Sequence, residues 1–181
     1  MKKLIVLVIV LMATCAVAMA QPRAIGGRVG YGIGVSYQHG FGEKNMLQAD
    51  LDFPCYYRGI QGTATYNWIF PISSWKNAGS WNWYAGVGGG AGYIWGWGRR
   101  HYEIYNYYGD WGYGYYGGNY GFIGAAGMIG VEYNFEFPLQ LSVDFRPIIG
   151  PSFYRGGHVD FNYFGLFASS ITVGVRYNFG K

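Results

Sequence analysis

Charge is scarce in this chain. Of its 181 residues only 12% are Asp, Glu, Lys or Arg, and two are cysteine. So little charge does not furnish the usual solvated surface of a soluble domain. Beyond the first twenty residues, long apolar runs are missing too. A membrane helix needs roughly 18 or more apolar residues, whereas the best stretch, Phe122 to Val131, has ten residues with three glycines. A single thiol, Cys55, remains once Cys15 is set aside with the leader described below, which excludes an internal disulfide. Without Lys2 and Lys3 there are 11 basic residues against 9 acidic ones, a net charge of +2. That balance is too small to argue for nucleic acid. Metal-ligand spacings and nucleotide motifs are absent, so no cofactor is expected. Gly88-Gly89-Gly90-Ala91-Gly92 lies inside an alternating segment rather than ahead of a helix, and so is no phosphate cradle.

Aromatic residues and glycine are abundant instead. Aromatics reach 21%, with 19 Tyr and 7 Trp, and there are 32 Gly, yet mean hydropathy is only +0.04. Residues 1–20 read as a secretory leader. Met1-Lys2-Lys3 is basic, Leu4 to Met12 is unbroken apolar, and Ala18-Met19-Ala20 is a cleavage site before Gln21. Met12-Ala13-Thr14 before Cys15 fits a lipid-attachment box poorly, which favours cleavage after Ala20. The domain is then residues 21–181.

In that domain the period is two nearly everywhere. Leu47, Ala49, Leu51 and Phe53 share one face against Gln48, Asp50 and Asp52. Ala64, Tyr66, Trp68 and Phe70 oppose Thr63, Thr65 and Asn67, and Leu141, Val143 and Phe145 oppose Ser142, Asp144 and Arg146. A soluble sandwich also alternates, but its second face is charged. Here the second face is Gly, Ser, Thr, Asn and a few ions, which suits the narrow bore of a small barrel. The expected fold is all-β: an up-and-down antiparallel transmembrane β-barrel of eight strands.

Parity sets the topology, because an even strand count puts both termini on one side, the periplasm. Strands are expected at residues 45–53, 60–70, 81–96, 121–135, 139–149 and 162–180. One long segment, 24–38, would make seven and exceeds the roughly 9–11 residues of a tilted span. Gly30-Tyr31-Gly32-Ile33-Gly34 in its middle divides it into a hairpin, 24–30 and 33–39. External loops then fall at the Gly30 turn, at 54–59, from Trp97 to Tyr120 and from Pro151 to Phe161. The first long loop carries eight Tyr and six Gly. It is expected to extend the strands as a hairpin and to offer an aromatic contact surface. Tyr37, Trp68, Phe70, Trp81, Trp83, Tyr133, Phe135, Tyr177 and Phe179 fall at periplasmic strand ends as an interfacial girdle.

The last strand reads Thr172-Val173-Gly174-Val175-Arg176-Tyr177-Asn178-Phe179. It resembles the C-terminal assembly signal of outer-membrane barrels, carried by Thr172, Gly174, Tyr177 and Phe179, with Gly180 and Lys181 as a departure after the final aromatic. The resemblance implies recognition by the barrel-assembly machinery through strand pairing. Gly174 should face the lumen, where a larger side chain would meet the opposite wall. Most of residues 24–180 is similar to small bacterial outer-membrane barrel proteins, in the size class of the OmpX and OmpA barrels. Tyr66-Asn67-Trp68, Gly130-Val131-Glu132-Tyr133-Asn134-Phe135 and the run Pro138 to Pro147 carry that likeness. It implies the outer membrane of a Gram-negative cell, contact with its lipid and lipopolysaccharide, a monomer, and no assigned activity.

Seven charges should face the lumen: Arg28, Asp50, Asp52, Glu132, Asp144, Arg146 and Arg176. In a partly dry bore they must pair, since an unpaired ion costs several kcal/mol or more. A structural salt-bridge plug is therefore expected. His39 is placed at a periplasmic turn, and His101 and His158 in external loops near Ser152 and Asp160. That set leaves an alternative, an outer-membrane lipid-modifying enzyme, although no nucleophile–base spacing supports it. Arg99-Arg100-His101 could touch lipopolysaccharide phosphates. The favoured function is non-enzymatic, structural or surface-interacting, with the two long external loops as working parts and their ligand unread.

Overall fold

Alternation with a period of two lets a strand put one kind of side chain on each face, and the structure uses it on every wall. The computed structural model describes residues 22–55, 58–75, 78–95, 102–105, 111–114, 119–154, 157, 159–164 and 171–179. The leader, residues 1–20, lies outside them. Twelve strands are described: β1 (Pro22–Val29), β2 (Gly32–Gly40), β3 (Asn45–Pro54), β4 (Arg58–Pro71), β5 (Ser80–Trp95), β6 (Tyr102–Tyr105), β7 (Trp111–Gly114), β8 (Tyr120–Asn134), β9 (Leu139–Phe145), β10 (Ile148–Tyr154), β11 (Val159–Phe164) and β12 (Ile171–Asn178).

Each of β1 to β4 pairs antiparallel with the next, β5 pairs with β8, β8 with β9, and β9 with β12. The ring closes where β12 pairs with β1, from Ala24 opposite Asn178 to Val29 opposite Val173. This is a closed eight-stranded antiparallel barrel, as the alternation and parity predict. The hairpin expected at Gly30 is present, with Gly30 and Tyr31 as the turn between β1 and β2.

Two boundaries differ from expectation. The strand expected at 139–149 is divided at Arg146-Pro147 and runs on to Tyr154. Pro147 has no N–H to give the ladder, yet its carbonyl still accepts from Gly127 N at 3.1 Å, so β10 resumes beside β8 in the same register. The long loop expected from Pro151 to Phe161 is correspondingly short, because β11 begins at Val159 and pairs with β10. Within the span from Trp97 to Tyr120, β6 and β7 pair with each other as a separate two-stranded sheet.

The walls are unequal. β5 has 16 residues and β8 has 15, whereas β1 and β12 have 8 each. The rim at the end away from the termini, the far end, is therefore slanted. It is tall along β5, β8 and β10 and low at the β1–β12 seam. Two apolar clusters fill part of the bore. Ile94, Tyr120, Phe122, Ala126 and Ile148 pack inside the tall wall. Met46, Ile69, Tyr84 and Met128 pack nearer the end that carries the termini, the near end.

Small residues make that interior possible. A Cβ built on Gly130 would lie 2.6 Å from Tyr84 Cζ and 2.8 Å from Asp144 Cβ, so Tyr84 lies in space that only glycine leaves free. On the outer face, a Cβ on Gly62 would have no neighbour within 4 Å. Gly130→Ala should therefore lower stability by about 1–3 kcal/mol through overpacking. Gly62→Ala should change it by no more than about 0.5 kcal/mol. Urea unfolding of the two variants followed by tryptophan fluorescence tests the contrast, and equal losses would show that the ring does not depend on Gly130.

Candidate functional site: a charged barrel interior

The chemistry-bearing side chains converge in the bore. Alternation in β1, β3, β8, β9 and β12 turns their even-numbered residues inward, and Arg28, Asp50, Glu132, Asp144 and Arg176 are all buried. Asp52 faces the same way and keeps a side-chain exposure of 15%. Arg146, at the break between β9 and β10, is buried with them.

Arg28 is the hub. Its Nη1 lies 2.5 Å from Asp50 Oδ2, its Nε 3.3 Å from Asp52 Oδ1, and its Nη2 2.9 Å from Asp144 Oδ1. The same Nη2 donates to Thr172 Oγ1, which in turn donates to Asp144 Oδ1 at 2.6 Å. Arg146 reaches the same two aspartates from across the bore, at 2.5 Å to Asp50 Oδ2 and 2.5 Å to Asp52 Oδ2, and also donates to Thr63 Oγ1. Arg176 is held mainly by neutral groups: its Nε donates to Ser36 Oγ at 2.9 Å and its Nη1 to Ser142 Oγ at 2.6 Å, with Asp144 Oδ2 at 3.9 Å from Nη2. Tyr84 Oη donates to Asp144 Oδ2 at 3.3 Å.

A second layer closes the near end around Glu132. Asn82 Nδ2 and Gln140 Nε2 donate to its two oxygens at 3.0 Å each. Arg23 pairs with both oxygens through its two terminal nitrogens. Arg23 Nη1 also donates to Gln38 Oε1 at 3.0 Å, Gln38 Nε2 donates to Gln48 Oε1 at 2.9 Å, and Gln48 Nε2 donates to Asp50 Oδ2 at 3.0 Å. This amide relay joins the two layers.

The structure thus brings all seven expected lumenal charges into one connected interior. Sequence reasoning missed Arg23. Strict alternation from Ala24 sends Arg23 outward, but the β1–β2 register shifts between Pro22 and Ala24 and the side chain turns in. One signal for it was available. Four acids against three bases in the bore leave one carboxylate unmatched, and Arg23 makes the count four to four.

The four terminal-strand residues divide by face. Thr172 is buried and joins the Arg28–Asp144 contacts, Gly174 faces inward, and Tyr177 and Phe179 lie outside, edge-on to each other at 5.1 Å. The expected clash at Gly174 has a different partner. A Cβ there meets Ser142 Oγ at 2.7 Å on the adjoining strand and Arg176 Nη1 at 2.9 Å on its own, not the opposite wall.

The histidine set is placed differently too. His39 is a buried member of β2 rather than a turn residue, with Nδ1 3.1 Å from Tyr37 Oη. Ser152 and Asp160 sit in β10 and β11 as registered partners rather than in a loop, and Ser152 is fully buried. His101, His158, Arg99 and Arg100 lie outside the described residues. Among the described residues no three His, Cys, Asp or Glu gather as a metal site. Cys55 is exposed and free.

The outer face is the inverse of the bore. Val35 and Val87 are 57% and 60% exposed, while Gln38, Gln48, Asn67 and Gln140 are 0% exposed inside. Aromatic rings line the near end outside. Phe70 stacks on Trp83 at 4.2 Å, and Trp75, Trp81, Tyr133, Phe135 and Phe137 form a run of ring contacts between 4.6 and 5.0 Å. No protein-family model, curated protein or solved structure matches this chain.

Buried ions cost several kcal/mol each unless paired and hydrogen-bonded. Asp144→Ala removes the carboxylate shared by Arg28, Arg176, Thr172 and Tyr84 and leaves two buried cations short of a partner. It should lower stability by about 3–5 kcal/mol, read as a shift of the urea midpoint. A loss below about 1 kcal/mol would mean that the network carries little of the stability.

Proposed function

We propose that the chain is an integral outer-membrane β-barrel protein of a Gram-negative bacterium, with a non-enzymatic structural or surface-interaction role. The observation that carries this reading is the inverted polarity: aliphatic side chains cover the outside and amides and ions fill the inside. A soluble barrel with that surface would expose apolar area far beyond the few hundred Å² that soluble monomers tolerate. In a bilayer the same surface is solvated by lipid, and closure satisfies every wall hydrogen bond where no water can. The near-end aromatic belt suits an interface, where rings meet acyl chains and their polar edges meet water.

In this reading residues 1–20 are a cleaved leader and residues 21–181 the mature, monomeric barrel. Lipid and lipopolysaccharide surround it. The far-end segment from Trp97 to Tyr120, with β6 and β7, is the part presented to the exterior. The full burial of Ser152 weighs against the lipid-modifying alternative, since a nucleophile must reach its substrate. The filled bore argues for a plug rather than a wide channel.

The protein should fractionate with outer membranes and be heat-modifiable, because a closed barrel resists detergent until boiled. Unboiled and boiled samples should run differently on a detergent gel. A single mobility together with a soluble, detergent-free folded form would overturn the membrane reading.

The terminal strand should be what the assembly machinery reads. Phe179 lies outside at the near end, where losing one ring costs a few kcal/mol at most, so any larger defect would come from recognition. Phe179→Ala should leave precursor exposed to periplasmic proteases. Phe135→Ala, a girdle aromatic outside the terminal strand, should assemble nearly normally. Equal amounts of the two variants in the outer membrane would show that Thr172, Gly174, Tyr177 and Phe179 are not the signal.

A further inference from the structure

The interior charges are not shared evenly among the strands. Within the closed ring, the carboxylates come from β3 (Asp50, Asp52), β8 (Glu132) and β9 (Asp144). The first strand, β1, brings two cations, Arg23 and Arg28, and no acid. Without β1, the remaining walls hold four carboxylates against Arg146 and Arg176, an interior charge of −2. With β1 in place the charges of the ring balance, four against four.

The partners of the two arginines lie beyond the strands that flank β1. The neighbours of β1 are β2 and β12. Arg28 reaches past β2 to Asp50 and Asp52 on β3, and past β12 to Asp144 on β9. Arg23 reaches Met46 on β3 and Glu132 on β8. Each guanidinium therefore spans the seam and holds both flanks of the sheet.

We propose that β1 is an electrostatic latch: its docking balances the charges of the ring, and Arg23 and Arg28 fix both the closure and the register of the β1–β12 seam. Before β1 docks, like charges in a narrow, poorly hydrated space oppose the approach of the two sheet edges. Backbone pairing alone does not select one register. A slip of two residues keeps apolar side chains outside and polar ones inside. A slip at the seam would carry Arg28, together with β2 and β3, about 6.6 Å along the strand from Asp144 on β9. The ion pairs distinguish the two registers where alternation cannot.

The test follows closure directly, in residues 21–181 with Cys55→Ser so that no other thiol competes. One cysteine pair, Gly27→Cys with Val175→Cys, spans the seam at registered, outward-facing positions. A reference pair, Ala64→Cys with Gly89→Cys, spans β4 and β5. The protein is refolded from urea into detergent micelles, and disulfide formation in each pair is timed with a mild oxidant. Arg28→Met should slow the seam cross-link about tenfold and leave the reference pair unchanged, since the lost contact belongs to the closing step.

A balanced variant guards against simple failure to fold. Arg23→Met with Glu132→Gln removes one charge of each sign, and it should close faster than Arg23→Met alone. If Arg28→Met yields no barrel, that comparison decides the question. The latch is wrong if Arg28→Met slows the reference pair as much as the seam pair, or if the balanced pair closes no faster than the single variant.

Discussion

Every feature of the bore answers to one constraint: an ion inside an eight-stranded barrel must find its counter-ion there. The interior of such a barrel is only wide enough for side chains, so a charge cannot retain its full hydration. The penalty is several kcal/mol per ion and is recovered only through close pairing with further hydrogen bonds. Asp50 meets this with two arginines and an amide, and Asp144 with Arg28, Thr172 and Tyr84. Glycines follow from the same constraint. The Tyr84 ring reaches Asp144 only because Gly130 has no side chain beneath it.

Much of the fold was legible because a strand has only two faces. Leu141, Val143 and Phe145 could not share a face with Ser142, Asp144 and Arg146, so one side of β9 had to be the bore. Parity then required the hairpin at Gly30 that alternation alone would have run through. Arg23 was not legible from alternation, because a register shift reverses the face of a residue without leaving a mark in its type, and only the unmatched carboxylate pointed to it. Nor was the continuation to Tyr154. Pro151 reads as the start of a loop, yet it lies within β10, opposite Phe161 on β11. Ser152 and Asp160 were misplaced for the same reason: once β10 runs on, they become paired strand residues. The partners of each ion were also beyond the sequence. Alternation says that Arg146 points inward, but only the curvature of the ring says that Asp50 and Asp52 lie opposite.

The two faces of the wall explain each other. A polar bore takes up the hydrogen-bonding side chains, and what remains for the outside is aliphatic and aromatic. The outer face is therefore at ease in an apolar surrounding, which is the basis of the membrane reading proposed above. The near-end aromatics lie where the wall strands turn back, at the level where such a surrounding would end. Tyr177 and Phe179 belong to that belt and also to the terminal strand. Their outward position and the inward position of Thr172 and Gly174 come from one alternation, so a single strand serves the seam, the bore and the outer face.

Unequal walls decide how each end of the bore is sealed. At the near end all strands turn at one level, and an ion pair with amides, Arg23 and Glu132 among Asn82, Gln38 and Gln140, spans the opening. At the far end the seam stops early. Arg28 lies only two residues below the Gly30 turn, and Asp52 keeps partial exposure. The tall wall continues past that level, where no carboxylate from the short strands can follow. Polar side chains on it would lack partners across the bore, and burying them would cost free energy. Ile94, Tyr120, Phe122 and Ile148 there need none, while the buried Ser152 on β10 stands beside its registered partner Asp160 on β11. The change from a charged to a mainly apolar lining within one bore thus follows from strand length: the paired ions of the ring occur where walls face each other, and the apolar cluster where one wall stands above the other.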